Sequence, residues 1–300
     1  MNEIVSAWPR KTRELQNHHM DSTLWDDFPF RDDDVVVGTY AKAGTTWTQQ
    51  IVGQLIHQGD PDIAIGEISP WWDMRIIPPE VREMVLAQPY RRVVKTHLPA
   101  DALVMSPKVK YLYVARDGRD VIWSLHNHHS HHTELAFELL NNTPGRVGPP
   151  LPRADPDIRR YFMTWLENDG KPYWSFWENV STWWALRDLP NVRLVHFANL
   201  KVDLAGQMRE IAEFLDVDIP EAKWPQIVEH CTFDWMKAHP EKAAPGGGMF
   251  WEGGAGIFIN KGTNGRWHDV LTPAESLAYE RMAEEKLGAD CAHWLKTGEL

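Results

Sequence analysis

The chain has 300 residues, 43% hydrophobic and 24% charged, which suits a soluble globular protein with one large core. Its formal net charge of −11 argues against a general nucleic-acid binder, which needs a basic face, yet allows a few converging Lys and Arg around one anionic ligand. Two cysteines, Cys231 and Cys291, give neither a disulfide framework nor a cysteine zinc site; no apolar run reaches membrane-span length and the N-terminus shows no secretory h-region, so a cytoplasmic location is expected.

The first third alternates strand and helix signals. "DDDVVVGTYAK" is acidic turn residues, a β-branched run and a loop. The next stretch carries Trp47, Ile51, Val52, Leu55 and Ile56 at helical spacing and stops at Gly59. "RRVVKTHLP" predicts a short buried strand ending before Pro99, and "VKYLYVARDGRDVIWSLHN" a strand, a turn and a helix with Asp120 in its first turn. Residues 127–184 are less regular and aromatic, and predict a cap or substrate-facing insertion. "NVRLVHFANL" is a fourth strand and "LAGQMREIAEFLDV" an amphipathic helix. "APGGGMFWEGGAGIFINKGTNGRW", residues 244–267, is glycine-rich and long enough to fold over a ligand as a lid. The alternation predicts a single α/β domain over 1–300, with a mostly parallel sheet flanked by helices. The count of 16 Trp is assigned mainly to core and rim packing.

Ligands of open parallel sheets bind beyond the carboxyl ends of the strands. The first strand leads into "GTYAKAGTTW", Gly38–Trp47. This looks like a phosphate loop, but the Walker lysine follows its second glycine directly, whereas Lys42 precedes Gly44 by two residues. The helix start after Gly44 offers free N–H groups to an anion. The second strand ends Lys95-Thr96-His97, and the third ends at Arg116. No strand ends in the acidic residue that a Mg²⁺-dependent P-loop enzyme uses. Phosphate-type recognition without a divalent metal is therefore expected.

At this point "TYAKAGTTW", "KTHLP", "YVARDGRDVIWS" and "NKGTNGRW" carry a resemblance. They stand in the order and approximate spacing seen in cytosolic sulfotransferases, whose first motif resembles YPKSGTTW and whose last resembles RKGxxGxW. The match covers roughly residues 34–277. The resemblance implies 3′-phosphoadenosine 5′-phosphosulfate (PAPS) as co-substrate, its bisphosphate (PAP) as product, and no metal. It implies that Lys42 stabilises the leaving oxygen, since negative charge collects there as the S–O bond breaks, and that His97 is the general base. Lys95 then adds charge at the sulfuryl group or orients the acceptor.

The same resemblance places the 5′-phosphate on Lys42, Ala43, Gly44, Thr45 and Thr46. It places the 3′-phosphate on Arg116, Ser124, Lys261 and Gly262, and the adenine on Trp47 and Phe233, with Phe197 nearby. The chain departs from the family at Phe197 (usually Tyr), Cys231 (usually Thr) and Asn260 (usually Arg): the first two remove a hydroxyl on the adenine side and the third a charge at the 3′-phosphate, for which Arg266 or Arg119 is a candidate replacement. Near the C-terminus "HDVLTPAESL" keeps only Thr272 of the family's dimer motif, so a homodimer is possible but unsupported. The acceptor is expected to be a small, apolar phenol or alcohol, with no nucleic acid or membrane partner.

The histidines of "HNHHSHH", from His126 to His132, are expected to form a polar rim at a helix end rather than a metal site. Two alternatives stay open: a P-loop kinase using ATP and Mg²⁺, and a non-catalytic nucleotide-binding protein on the same scaffold.

Overall fold

The acidic turn before the first valine run works as a strand-starting clamp. Asp34 accepts the Arg31 N–H at 2.8 Å and Arg92 Nε at 2.7 Å, and the Asp34–Arg92 pair is almost wholly buried. Two chain segments are thereby fixed side by side at the entry to the sheet. The computed structural model describes residues 8–300. Among them four strands form one sheet: β1 (Val35–Thr39), β2 (Val93–Thr96), β3 (Lys110–Ala115) and β4 (Val192–His196). They lie in the order β2-β1-β3-β4, every pairing parallel. The four expected strands are all present.

Strand side chains alternate faces, and this sorts the core into two layers. Val35 and Val37 of β1, with Leu112 and Val114 of β3, pack on Ile51, Val52 and Leu55 of α1 (Thr45–Ile56). Val36 and the tyrosines of β3 face the opposite layer, which holds Val121 and Ile122 of α2 (Gly118–Ser130) and Phe176 and Trp183 of α3 (Phe176–Trp184). Met208 and Ile211 of α4 (Leu204–Phe214) complete the first layer, and Tyr279 of α5 (Pro273–Leu287) the second. The sequence stretch 127–184 thus ends in a helix that is part of the sheet's own core. Trp183 stacks on Tyr113 at 5.2 Å and 10°. That approach needs Gly38, where a Cβ would sit 2.6 Å from the indole. Thr272, the one residue kept from the dimer motif, caps α5 in a capping box with Glu275.

β1 connects outward to β2 and β3 outward to β4, so the chain changes direction between β1 and β3. Loops leaving these two strands diverge there and open a crevice at the carboxyl edge. The loop 40–44, His97 and Arg116 all lie at that edge.

Candidate active site

The loop after β1 turns sharply: Lys42 has φ 67° and Gly44 φ 123°. A Cβ at Gly44 would also come within 3.0 Å of Phe197, so glycine is needed there for both conformation and space. Gly44 caps α1 without a side-chain acceptor, so the first N–H groups of α1 are not covered by their own cap. Thr45 Oγ1 lies 2.6 Å from Thr39 Oγ1 and is buried. Lys42 reaches away from the helix: its Nζ donates toward His128 Nδ1 at 3.5 Å and lies 4.4 Å from the Phe258 ring centroid.

His97 follows β2 and is buried. Its Nδ1 lies 2.9 Å from the Thr39 carbonyl oxygen and 3.0 Å from Thr39 Oγ1. A carbonyl only accepts, so Nδ1 carries the proton and Nε2 keeps its lone pair. The His97 carbonyl accepts Asn179 Nδ2 at 2.9 Å, which fixes the backbone. Trp71 packs edge-on at 4.4 Å and Trp174 stacks at 5.9 Å. Burial, then Lys95 and Lys42, lower the His97 pKa to about 3, so the ring is uncharged near neutrality. Burial also lowers Lys95 to about 8, opposed by Asp73. Asp73 accepts Trp25 Nε1 at 3.1 Å and Trp71 Nε1 at 2.9 Å, and burial raises it to about 6. Lys42 is lowered to about 7 by burial, then by Lys95 and Arg116. Three cations thus converge where the strands end.

Arg116 directly follows β3 and is buried. It donates to Asn264 Oδ1 at 2.9 Å and to the Thr263 carbonyl at 2.8 Å, and lies 4.1 Å over the Phe197 ring. The 244–267 segment is therefore folded back onto the strand edge. Asp120 Oδ1 accepts Gly265 N–H at 2.7 Å and Arg266 donates to the Trp123 carbonyl at 3.0 Å. Phe258 of the same segment covers Lys42.

The sulfotransferase domain family matches residues 32–290 of this chain. The chain belongs to the sulfotransferase family. A glycolipid sulfotransferase of Mycobacterium bovis is 30% identical, the alignment covering 93% of this chain and 92% of that protein. Human sulfotransferase 1C2 is 28% identical, covering 87% and 85%. Among solved structures, mouse sulfotransferase SULT7A1 complexed with PAP shares the fold at a TM-score of 0.69, with 20% identity and 91% of each chain covered. Retinol dehydratase in a complex with retinol and PAP does so at 0.66, with 22% identity, covering 88% of this chain and 84% of that one.

In this sulfotransferase the remaining expected residues divide. Trp47 Nε1 donates to the Cys231 carbonyl at 2.7 Å, and its ring meets Phe197 edge-on at 5.2 Å. The Cys231 side chain's identity is therefore indifferent to that bond. Trp47 and Phe233 pack against one small cluster, and Gly262 (φ 60°) passes so close that a Cβ would sit 2.6 Å from Phe233. Ala43 is buried beneath the loop, Thr46 is half-buried at the helix start, and Lys261 is exposed. Ser124 is half-buried on α2, and among the described residues the Arg116 guanidinium bonds to Asn264 and Thr263 and not to Ser124. Arg119 is no replacement for the missing Arg at 260. It is committed to Asp117, Ser276 and Glu280, at 2.6, 2.8 and 2.9 Å. Arg266 is close enough to Arg116 to lower its pKa.

The expected polar rim at 126–132 is corrected. His129 and His132 are 1% and 5% exposed and belong to the aromatic interior, because the residues just after α2, His131 to Thr133, pair with residues 250–252; His126, His128 and His131 stay half-buried at the helix end. Among the described residues no group of three or more His, Cys, Asp or Glu is arranged to hold a metal ion. Sequence reasoning missed His128 beside Lys42, Asp73 near Lys95, and Asn179 and Trp174 on His97. None announces itself locally, since each partner lies at least 22 residues away. No helix of the described residues is long and apolar enough to cross a membrane.

Proposed function

We propose that this sulfotransferase moves the sulfuryl group from PAPS to a hydroxyl of a small phenol or alcohol, releasing PAP and a sulfate ester. The observation that carries it is the His97 tautomer: Nδ1–H is tied to the Thr39 carbonyl, so Nε2 is the free basic atom, in an uncharged ring beside Lys95 and Lys42. The phosphosulfate supplies the activated sulfur.

His97 Nε2 takes the acceptor's proton as its oxygen attacks sulfur, and Lys42 sits at the oxygen that joins phosphorus to sulfur, where charge accumulates. A bound anion offsets the repulsion from Lys42 and Lys95, so the same binding event raises the basicity of His97. Lys95 holds the sulfuryl oxygens or the acceptor. The α1 N–H groups with Ala43, Gly44, Thr45 and Thr46 take the 5′-phosphate. Arg116, Ser124, Lys261 and Gly262 take the 3′-phosphate, for which Arg116 exchanges its lid carbonyl. Trp47 and Phe233, with Phe197, hold the adenine. The segment 244–267 acts as a lid and the earlier part of 127–184 as the acceptor side of one domain. Two free buried cysteines, Cys231 and Cys291, support a cytoplasmic location.

Calorimetric titration with PAP, and with ATP-Mg²⁺ as the competing ligand, tests the donor site. Incubation of wild type and His97→Ala with labelled PAPS and a phenol and alcohol library tests the chemistry. PAP binding by both proteins, with sulfate transfer only by wild type, is expected. Binding of ATP-Mg²⁺ in place of PAP, or transfer by His97→Ala at the wild-type rate, overturns the assignment.

A further inference from the structure

Asp73 is wholly buried, and each of its carboxylate oxygens serves a different tryptophan: Trp25 Nε1 donates to Oδ1 at 3.1 Å and Trp71 Nε1 to Oδ2 at 2.9 Å. Indole N–H groups only donate, so both oxygens must accept, which a carboxylate provides and an amide does not. Burial raises the Asp73 pKa, and bonds from Thr96, Trp71 and Trp25 oppose the rise. The backbone around it is held as firmly: the Asp73 carbonyl accepts Asp21 N–H at 2.9 Å, and Arg82 donates to the Met74 carbonyl at 2.8 Å. A buried carboxylate is costly, and well-packed apolar residues would often serve stability as well. The two tryptophans it holds do different things. Trp25 packs among Phe28, Phe30 and Trp72, at 4.9, 6.0 and 6.3 Å. Trp71 packs edge-on against His97 at 4.4 Å. The main chain of the Trp71 stretch also runs beside β2, with Lys95 N–H donating to the Pro70 carbonyl at 3.1 Å and Trp72 N–H to the Lys95 carbonyl at 3.0 Å.

We propose that Asp73 is a positioning residue for sulfuryl transfer: through its bond to the Trp71 indole it holds in place the ring that fixes the direction of His97 Nε2. This role rests on the reading of His97 as the base given above. The Thr39 carbonyl anchors the imidazole at one corner, Nδ1, and an anchor at one corner leaves the ring free to pivot. Trp174 lies along one face, at 5.9 Å and 27°, and Trp71 meets the ring at 80°. Together they stop the pivot, and the Asp73 bond sets the plane of Trp71. Direction matters because a base must stand within hydrogen-bond reach of the proton it takes, and a misplacement of about 1 Å can cost about 10²-fold in rate. The carboxylate acts on the site a second time by charge, since it favours the protonated form of Lys95.

The test uses the full-length protein with Asp73→Asn, Trp71→Phe, Trp25→Phe and the double variant Asp73→Asn/Trp71→Phe. Trp71→Phe and Trp25→Phe each delete one bond to the same carboxylate and keep an aromatic ring, so a purely structural role predicts that they behave alike. The first readout needs no acceptor: NMR of the His97 Cε1–H in the unliganded protein, its signal identified by its absence from His97→Ala. Asp73→Asn should shift it, and Trp25→Phe should leave it in place. The second is steady-state turnover with labelled PAPS and the best-used member of the phenol and alcohol library. Asp73→Asn and Trp71→Phe should each lower kcat about 10–10²-fold with PAP affinity kept, while Trp25→Phe stays close to wild type. The double variant should lose little more than either single one, because both break the same link. A His97 signal unmoved by Asp73→Asn, equal kcat losses in Trp25→Phe and Trp71→Phe, or losses that multiply in the double variant overturn the proposal. If Asp73→Asn does not fold, the comparison of Trp71→Phe with Trp25→Phe decides it. If wild type binds no PAP and transfers no sulfate, the donor reading falls and the catalytic role with it; if wild type is active and the NMR signal stays put, this role alone falls.

Discussion

Acidification from pH 7.5 to 5.5 should destabilise the unliganded protein by at least about 4 kcal/mol, the share of three buried imidazoles, with His19 and His128, held well below the usual imidazole range by burial, adding in the same direction. His97, His129 and His132 have pKa values lowered by burial to about 3, 4 and 3. Their bonding explains the neutral form: His129 Nε2–H donates to the Pro152 carbonyl at 2.8 Å while Nδ1 accepts from Tyr161 Oη at 3.0 Å, and His97 Nδ1–H serves Thr39. In the unfolded chain each ring takes up a proton near pH 6.5. The unfolded state therefore binds more protons between about 6.5 and the folded values, and stability falls as pH falls through that window. At pH 5.5, one unit below the unfolded pKa, each ring costs about 1.4 kcal/mol, and at 7.5 almost nothing. Asp73, raised to about 6, protonates in the same interval and returns about 0.8 kcal/mol. Lys42, lowered to about 7, holds fewer protons than an unfolded lysine across that interval and removes a similar amount. The loss is a large share of a typical total of about 5–15 kcal/mol. Guanidinium unfolding at the two pH values, followed by tryptophan fluorescence, measures it. Equal stabilities would refute the buried neutral rings, and His132→Phe should flatten the dependence.

Three further outcomes follow from the site. Lys42→Met should lower kcat about 10²–10³-fold, the usual loss when one preorganised transition-state donor is removed; turnover within a few-fold of wild type would take Lys42 off the leaving oxygen. Gly262→Ala forces a Cβ into Phe233 at a φ of 60°, and Lys261→Ala removes an exposed cation from the same turn; both should raise KM for PAPS about tenfold with kcat nearly kept, and unchanged KM would place the lid elsewhere. EDTA should leave sulfate transfer intact, and loss restored by Mg²⁺ would return the site to metal-assisted chemistry.

The strands and the main helices were legible because both patterns are local. β-branched runs at Val35, Val93, Lys110–Ala115 and Val192 each stop at a turn or a basic residue, and α1 carries its apolar stripe openly. The loop, His97 and Arg116 were legible for the same reason: each stands at a strand's carboxyl end, which parallel topology gathers at one edge. What stayed hidden depends on contacts far apart in the chain. Asp73 looks like a turn residue until Trp71 bridges to β2. Trp174 looks like core packing until it is seen on His97. The histidines at 126–132 read as a polar rim because polarity is visible in a sequence and burial against residues 250–252 is not. Arg119 looks as available as Arg116, and only the fold commits it to α5.

The position of Lys42 follows from the electrostatics of the edge. A lysine placed directly after Gly44 would stand at the first turn of α1, whose free N–H groups already attract the anion. Set two residues before Gly44, in a left-handed conformation, it leaves the helix axis and reaches His128 and Phe258. One anion can then be held by backbone N–H groups at one end and by an ammonium at the other. Lys42, Lys95 and Arg116 all have lowered pKa values; Asp73 opposes the shift of Lys95, and Asp120 and Asp117 that of Arg116, but among the described residues no carboxylate opposes that of Lys42, so the edge carries positive charge that is least compensated at Lys42. Such a cluster is costly in the folded protein and becomes favourable when an anion arrives, which is the signature of charge arranged for a ligand and not for stability.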